Sequence, residues 1–366
     1  MSNPRVLHAF KDYFPPTRGG VEQHINDLVH SLKGHRFAVL TSSRSRRKIV
    51  DDDDGVRVIR SPELARPVST PFTPSWSKFL RESGADLLHF HMPNPFGELA
   101  LLASRTPSPM IASYHSDIVG RRALTPLFSP FQQRFLKKAK AVIVGSSRLV
   151  DTSLTLQPIR EKCVVVPYGV DVGDWATPPQ MTEAIKEQYP GPLVVFLGRI
   201  AWYKGVEVLV EAMRGVEATC LIVGDGPLAT SVRKRVAELG LRHKVVFIGD
   251  VRDDQRAAYL HAADVFVLPA TSRAETFGIA MLQAMACGTP AISTEVGTGT
   301  SWVNKHLETG LVVAPNDPNE LAGAIKALLA DTPKRLAMGF AASERASTTF
   351  TRFTMLESIA SLYASV

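Results

Sequence analysis

The residues best suited to chemistry in this chain lie between Gly198 and Gln283. Arg199 and Lys204 stand five apart in Gly198-Arg-Ile-Ala-Trp-Tyr-Lys204-Gly205, directly after an apolar run. A guanidinium that grips two oxygens and an ammonium that neutralises charge suit a pair of phosphates. Cations at the start of a helix are disfavoured by the helix dipole, which argues for a ligand over a plain exposed surface. Further along, Glu275-Thr-Phe-Gly278-Ile279 reads as the opening of a helix beside the end of a buried strand. The N–H groups of Phe277, Gly278 and Ile279 would there face phosphate oxygens. Glu275 would hydrogen-bond sugar hydroxyls. Gln283, eight residues on, would share its helix face and reach a ribose hydroxyl.

Weaker signals fit the same chemistry. Gly19-Gly20, after the first strand, would let backbone N–H groups approach a diphosphate because no Cβ intervenes. A glycine pair can also merely turn the chain, and the same holds for Gly224 in Gly224-Asp-Gly-Pro227. In Phe247-Ile-Gly-Asp-Val251 the strand end, at Val251, would offer backbone groups to a base, while Asp253 reads as a helix cap. His115 ends the strand before Ser116-Asp117 and is placed to hydrogen-bond a sugar or leaving group. A lone histidine is more often structural. His91 ends a neighbouring strand and would line an acceptor pocket.

Alternating strands and helices must position these residues. In the first half, 5–10, 37–41, 56–60, 86–91, 110–114, 141–145 and 163–167 are short apolar strands; in the second, 193–198, 219–224, 245–249, 265–268, 290–293 and 311–313. Near-continuous apolar strands between amphipathic helices imply parallel sheets covered on both faces. The Pro- and Gly-rich stretch 173–192 interrupts the alternation. This gives two Rossmann-like domains, 1–185 and 186–349, with a final helix near 353–364 in the segment 350–366. Asp51–Asp54 reads as a short acidic loop, solvated and not metal-bound.

With 366 residues the chain exceeds one ordinary core, and 45% hydrophobic with 21% charged residues is a globular composition. No apolar run reaches a membrane span and the N-terminus lacks a secretory layout; with the scattered cysteines read as thiols of a reducing compartment, a cytoplasmic setting is expected. Cys163, Cys220 and Cys287 are too scattered for a zinc site or disulfide frame and read as buried thiols. Residues 1–185 hold 24 Lys+Arg against 17 Asp+Glu, whereas residues 186–366 hold 18 of each, so the whole net charge of +7 lies in the first half. The clusters Arg44–Lys48, Arg121-Arg122 and Lys137–Lys140 suggest peripheral contact with anionic lipid. They lack the interleaved aromatics of a nucleic-acid surface.

Taken in order, Gly19-Gly20, His115, Gly198-Arg199 with Lys204-Gly205, the Gly-Asp-Gly-Pro turn and Glu275-x-Phe-Gly resemble the GT-B glycosyltransferases of family 4 over essentially the whole chain. The resemblance implies an α/β fold of two doubly wound domains facing an interdomain cleft, with a C-terminal helix crossing back to the first. It implies retaining transfer from a nucleotide sugar, with no cofactor or bound metal, to a glycan or lipid-linked acceptor. On matching positions, Gly19 and Gly20 approach the diphosphate, Arg199 and Lys204 bind it, Glu275 contacts the donor sugar and His115 sits by its 6-hydroxyl and anomeric region. The family usually carries a second glutamate with seven residues between it and Glu275; at that position this chain has Gln283, which can still accept one hydrogen bond from a ribose hydroxyl. The segment Glu295–Asn304 looks like bacterial mannosyltransferases of surface glycans, which suggests GDP-mannose; a UDP-sugar donor and a nucleotide-sugar 2-epimerase are the alternatives. A dinucleotide-dependent oxidoreductase is disfavoured because G-x-G-x-x-G is absent after the first strand.

Overall fold

The computed structural model describes residues 3–17, 19–67, 70–119 and 125–366, without the side chains of 125–127. The Arg121-Arg122 cluster and Arg18 lie outside the described residues. Two compact units form, Met1–Val166 with Leu356–Val366, and Pro167–Met355. The division therefore lies ahead of the Pro- and Gly-rich stretch at which the sequence places it. The reason is packing: Ile185, on the helix Met181–Gln188, is buried among Leu193, Val195 and Phe266 of the second unit.

In the first unit the strands are β1 (Arg5–Ala9), β2 (Arg36–Ser43), β3 (Ile49–Asp53), β4 (Val56–Pro62), β5 (Leu87–Met92), β6 (Met110–Tyr114), β7 (Ala141–Val144) and β8 (Cys163–Val165). They form one sheet in the order β3-β4-β2-β1-β5-β6-β7-β8. The chain steps outward in one direction from β1 and in the other from β5, so the order reverses between these two strands. All pairings are parallel except β3 with β4. One face buries Trp76, Leu80, Phe90 and Phe135; the other buries Phe10, Tyr13, Val39 and Val58 beneath Ile25 and Val29 of the helix Gly20–Ser31.

β3 corrects the acidic loop expected at Asp51–Asp54. Asp54 and Gly55 both have positive φ, 47° and 84°, in a two-residue turn joining β3 to β4. That is the backbone demand of a type I′ hairpin, which Asp-Gly meets. Two of the aspartates are held by neighbours: Arg60 Nε lies 2.8 Å from Asp51, and the Tyr13 hydroxyl donates to Asp53 at 3.1 Å.

The second unit holds β9 (Leu193–Leu197), β10 (Thr219–Val223), β11 (Val245–Gly249), β12 (Val265–Leu268), β13 (Ala291–Thr294) and β14 (Gly310–Val313). All are parallel, in the order β11-β10-β9-β12-β13-β14, so the order reverses between β9 and β12. β9 and β12 are wholly buried, as their unbroken apolar sequences require. Asn304 stitches β13 to β14: its Nδ2 donates to Ala291 O, Ser293 Oγ and Leu311 O, each within 3.1 Å. The last helix, Arg352–Ala364, begins in this unit and ends in the first. Among the described residues no helix is long and apolar enough to cross a membrane.

Candidate active site

Loops that leave adjacent parallel strands in opposite directions open a crevice beyond the strand ends, and ligands of α/β proteins sit there. In the second unit that point lies between β9 and β12, and the loops after these strands carry Lys204 and Glu275. Lys204 Nζ is 2.5 Å from Glu275 Oε2, with only 13% and 9% of the two side chains exposed. Burial, the largest single influence, works against the ammonium charge, but Glu275 and then the neighbouring Tyr203 together outweigh it, and the lysine pKa is raised. Lys204 is thus a permanent cation held at the switch point.

Glu275 also shapes the backbone. Its Oε1 accepts the Gly278 N–H at 3.0 Å, and Gly278, at φ 86°, caps the helix Ile279–Ala286. The helix therefore opens at Ile279, not at Glu275. A left-handed residue cannot sit inside a right-handed helix, so Glu275 belongs to the preceding loop. The shared helix face expected for Glu275 and Gln283 is corrected accordingly: Gln283 lies on the helix, half-buried, without Glu275. The Gly278 N–H, expected to meet phosphate, is engaged by Glu275 in this structure. Phe277 is buried against Tyr168 and Phe350, leaving only its backbone for a ligand role.

Hydrogen bonds between loops fix this arrangement. The Thr271 N–H donates to Tyr203 O at 2.9 Å and its hydroxyl to Trp202 O at 3.1 Å. On the other side, the Thr298 hydroxyl donates to Glu275 O at 2.7 Å and the Gly299 N–H to Thr276 O at 2.7 Å. Gly205 has φ 69°, and a Cβ there would overlap the carbonyl oxygen of Pro269. Gly224, at φ 124°, packs onto the carbonyl of Gly198, while Ile200 N–H donates to Asp225 O at 2.9 Å. The Gly-Asp-Gly-Pro turn is thus a brace for the Gly198–Ile200 loop. Gly198 in turn borders the ammonium of Lys204.

Among the described residues Arg199 makes no bond to the pair, nor any other hydrogen bond or ion pair; it is exposed on the loop after β9. Val251 is half-buried against the second core, and Asp253 opens a helix that Arg252 caps.

In the first unit the order reverses between β1 and β5, and histidines converge there. Gly19 caps the helix Gly20–Ser31, with the Glu22 carboxylate folded against it. The register sets His8 beside His89 and His91 beside Ser113. Residues two apart share a sheet face, so His89, His91, Ser113 and His115 all project with His8. His8 Nδ1 and His91 Nε2 are 3.0 Å apart, and His91 Nδ1 and His115 Nε2 are 2.9 Å apart. His89 bonds the Tyr363 hydroxyl at 2.6 Å and Ser113 Oγ at 2.7 Å. Burial, reinforced by the neighbouring His24, pushes His8 down to about 3. Burial alone pushes His24 to about 4. His89, His91 and His115 fall well below the ordinary histidine value, each chiefly through burial; His8, His24 and His115 add to the effect on His89, then His89, His115, His8 and His24 on His91, and His24 alone on His115. The cluster is neutral at physiological pH. His8, His89 and His91 also have ligand atoms within 4.8 Å of one another, close enough to hold a metal ion.

Comparison with known proteins places the chain. Residues 18–174 match the model of Glycosyltransferase Family 4, and residues 181–345 that of Glycosyl transferases group 1. The D-rhamnosyltransferase WbpZ of Pseudomonas aeruginosa is 36% identical over 95% of this chain and 92% of its own. The chain belongs to the family 4 glycosyltransferases.

The O-antigen chain mannosyltransferase C of Escherichia coli is 31% identical to this glycosyltransferase, over 99% of this chain and 98% of its own. A GDP-mannose-dependent alpha-(1-6)-phosphatidylinositol monomannoside mannosyltransferase of Mycobacterium tuberculosis is 30% identical over 93% of each. Among solved structures, the sucrose-phosphate synthase of Thermosynechococcus elongatus shares the fold with a TM-score of 0.83 at 23% identity, over 99% of this chain and 98% of its own. The fold is GT-B. Of the residues the sequence marks in the glycosyltransferase, the structure brings together Lys204, Glu275, Gly198 and Gly278 in one unit, and His91 with His115 in the other. His8, His89 and Tyr363 escaped the sequence reading. The signal available for the first two was the alternation His89-x-His91 on β5 beside a histidine on β1.

Proposed function

We propose that the glycosyltransferase moves a hexosyl group, mannose from GDP-mannose, to a glycan or lipid-linked acceptor in cell-surface polysaccharide or glycolipid synthesis. The buried Lys204–Glu275 pair at the switch point carries this reading, because it holds a fixed cation beside glycine-bared backbone where a diphosphate would dock. The donor reading is supported by the two mannosyltransferase relatives, one of them named as GDP-mannose-dependent.

Lys204 and the exposed Arg199 would stabilise negative charge on the departing diphosphate, and Glu275 would take hydroxyl protons of the sugar as hydrogen bonds. Gly19, Gly20 and Gly224 shape the loops, Ile279 and Val251 offer backbone groups, and Gln283 meets the ribose. His115 is assigned to the transferred sugar, and His91, buried with both ring nitrogens bonded to His8 and His115, backs it on the acceptor side. The acceptor hydroxyl oxygen bonds to the anomeric carbon on the face the diphosphate leaves, its proton passing to the leaving phosphate oxygen. Configuration is retained, and no metal is required. Pre-set donors aimed at developing charge are worth about 3–4 kcal/mol for one well-placed group. The exposed cations of Arg44–Lys48, Lys137 and Lys138 support peripheral contact with an anionic membrane face in the cytoplasm.

A panel of nucleotide sugars in a thermal-shift assay tests the donor. GDP-mannose at 100 times its Kd should stabilise by roughly 2.7 kcal/mol, with UDP-sugars well behind. Turnover should need an added acceptor and persist in excess EDTA. A UDP-sugar winner would overturn the donor, acceptor-independent consumption would favour a 2-epimerase, and loss of activity with EDTA would overturn the metal-free mechanism.

A further inference from the structure

Four histidines of the first unit are joined with Ser113 and Tyr363 in one run of hydrogen bonds among the described residues. It runs Ser113 Oγ to His89 at 2.7 Å, His89 to the Tyr363 hydroxyl at 2.6 Å, and Tyr363 to His8 Nε2 at 3.2 Å. It continues from His8 Nδ1 to His91 at 3.0 Å and from His91 Nδ1 to His115 Nε2 at 2.9 Å. Each neutral imidazole has one donor and one acceptor nitrogen, and each link uses one nitrogen of each ring. With every ring neutral, every link made and the Tyr363 hydroxyl donating to one of its two histidines, only two arrangements are self-consistent. In one, Ser113 donates first, every histidine carries its proton on Nδ1, and His115 Nε2 accepts. In the other, every histidine carries its proton on Nε2, and His115 donates back along the chain. Both contain the same number of protons. Reversing any one link in isolation would set two protons or two lone pairs face to face.

We infer that Tyr363, His8, His89 and His91 are positioning residues that fix which nitrogen of His115 bears its proton, and therefore whether its other nitrogen donates or accepts. Each of these rings is buried, and Tyr363 comes from the last helix, far along the chain from the strands it joins. Among the described residues the hydroxyl is the only hydrogen-bond bridge between the His89 end and the His8 end of the run. A hydrophobic helix contact alone would not need it: Phe would fill the same volume. The facing titratable groups are histidines too: His24 on the helix Gly20–Ser31, whose ring centroid is 5.8 Å from that of His115, and His35, 5.4 Å from Tyr363. The inference rests on the assignment of His115 to the transferred sugar, but its readout does not.

The test is long-range 1H–15N correlation on full-length protein labelled with 15N-histidine, which reports each ring's tautomer directly. The wild-type enzyme should show His115 as one tautomer. Tyr363→Phe should shift or mix the His115 nitrogen signals, three links away, and lower kcat by roughly tenfold with the donor KM within about twofold. Ser113→Ala should move the His89 signals most and His115 in the same sense. Ile359→Val, a buried change on the same helix, should leave the His115 signals in place. His115 signals unmoved in Tyr363→Phe would overturn the inference. So would a stoichiometric metal in purified protein that is lost in His8→Ala. Should the tautomer respond while His115→Ala keeps full turnover, the chain stands and the role given to His115 falls.

Discussion

Lys204 and Arg199 show how two cations of one motif come to differ. Lys204 is enclosed with Glu275, whereas Arg199 reaches solvent. Lys204→Met should therefore do two things. Turnover should fall by about 100- to 1,000-fold, since a positioned donor to developing charge is lost. Stability should also fall, by about 3 kcal/mol, because the Glu275 carboxylate is left buried without its counterion. Arg199→Ala should lower kcat while leaving the denaturant midpoint unchanged. Chemical denaturation beside steady-state kinetics checks both; an unaltered kcat for Arg199→Ala would remove it from the mechanism. The pair's pH dependence has a definite sign. The raised lysine pKa means its contribution is complete below the ordinary value of 10.5 and disappears only as pH climbs beyond that. The sequence displays the types Lys204 and Glu275 and their neighbouring glycines. It does not display their contact, because a loop after β9 and one after β12 become adjacent only through the strand order.

At the level of elements, the site is a set of loops braced by glycines that tolerate no side chain. Gly205 and Gly249 both have positive φ, 69° and 84°, but only Gly205 would drive a Cβ into another backbone; around Gly249 there is open space. Gly249→Ala should cost about 1 kcal/mol from backbone strain alone, and Gly205→Ala clearly more. The larger loss should come with reduced turnover, because the Trp202–Lys204 turn must shift. Urea midpoints of the two variants measure the difference, and equal midpoints would show that the turn yields freely. Most strands were legible because buried parallel strands are unbroken apolar runs. β3 was not, since three of its five residues are aspartate; the Asp54-Gly55 turn was the overlooked signal. The helix start was misplaced by four residues, from Glu275 to Ile279, because Gly278 in the left-handed region delays it.

For the whole molecule, buried titratable groups are unevenly shared. His8, His24, His89, His91 and His115 all belong to the first unit and all have depressed pKa values. The unfolded chain binds protons at these rings below about pH 6.5 while the folded chain refuses them, so stability falls as pH drops. For His8, held near 3, and His24, near 4, the loss at pH 5 is on the order of 2 kcal/mol each. Glu98, raised to about 7 by burial, acts in the opposite sense, but it is one carboxyl against five imidazoles. Hydrogen exchange at pH 7 and pH 5 should show the first unit losing protection before the second, and uniform loss would contradict this. The family was legible from the order of short motifs along the chain, each weak alone. The division after Val166 was not, because a proline-rich stretch looks like a linker even when its helices pack into a core.

One consequence follows from the aspartates of β3. That strand ends its sheet, and an uncovered sheet border is a template on which another chain can add a strand. Here the border carries Asp51, Asp52 and Asp53 in succession, so an approaching β-ribbon meets a row of negative charge. The hairpin that the sequence disguised as a loop is thus a guard against self-association, and its protection weakens as salt screens that row.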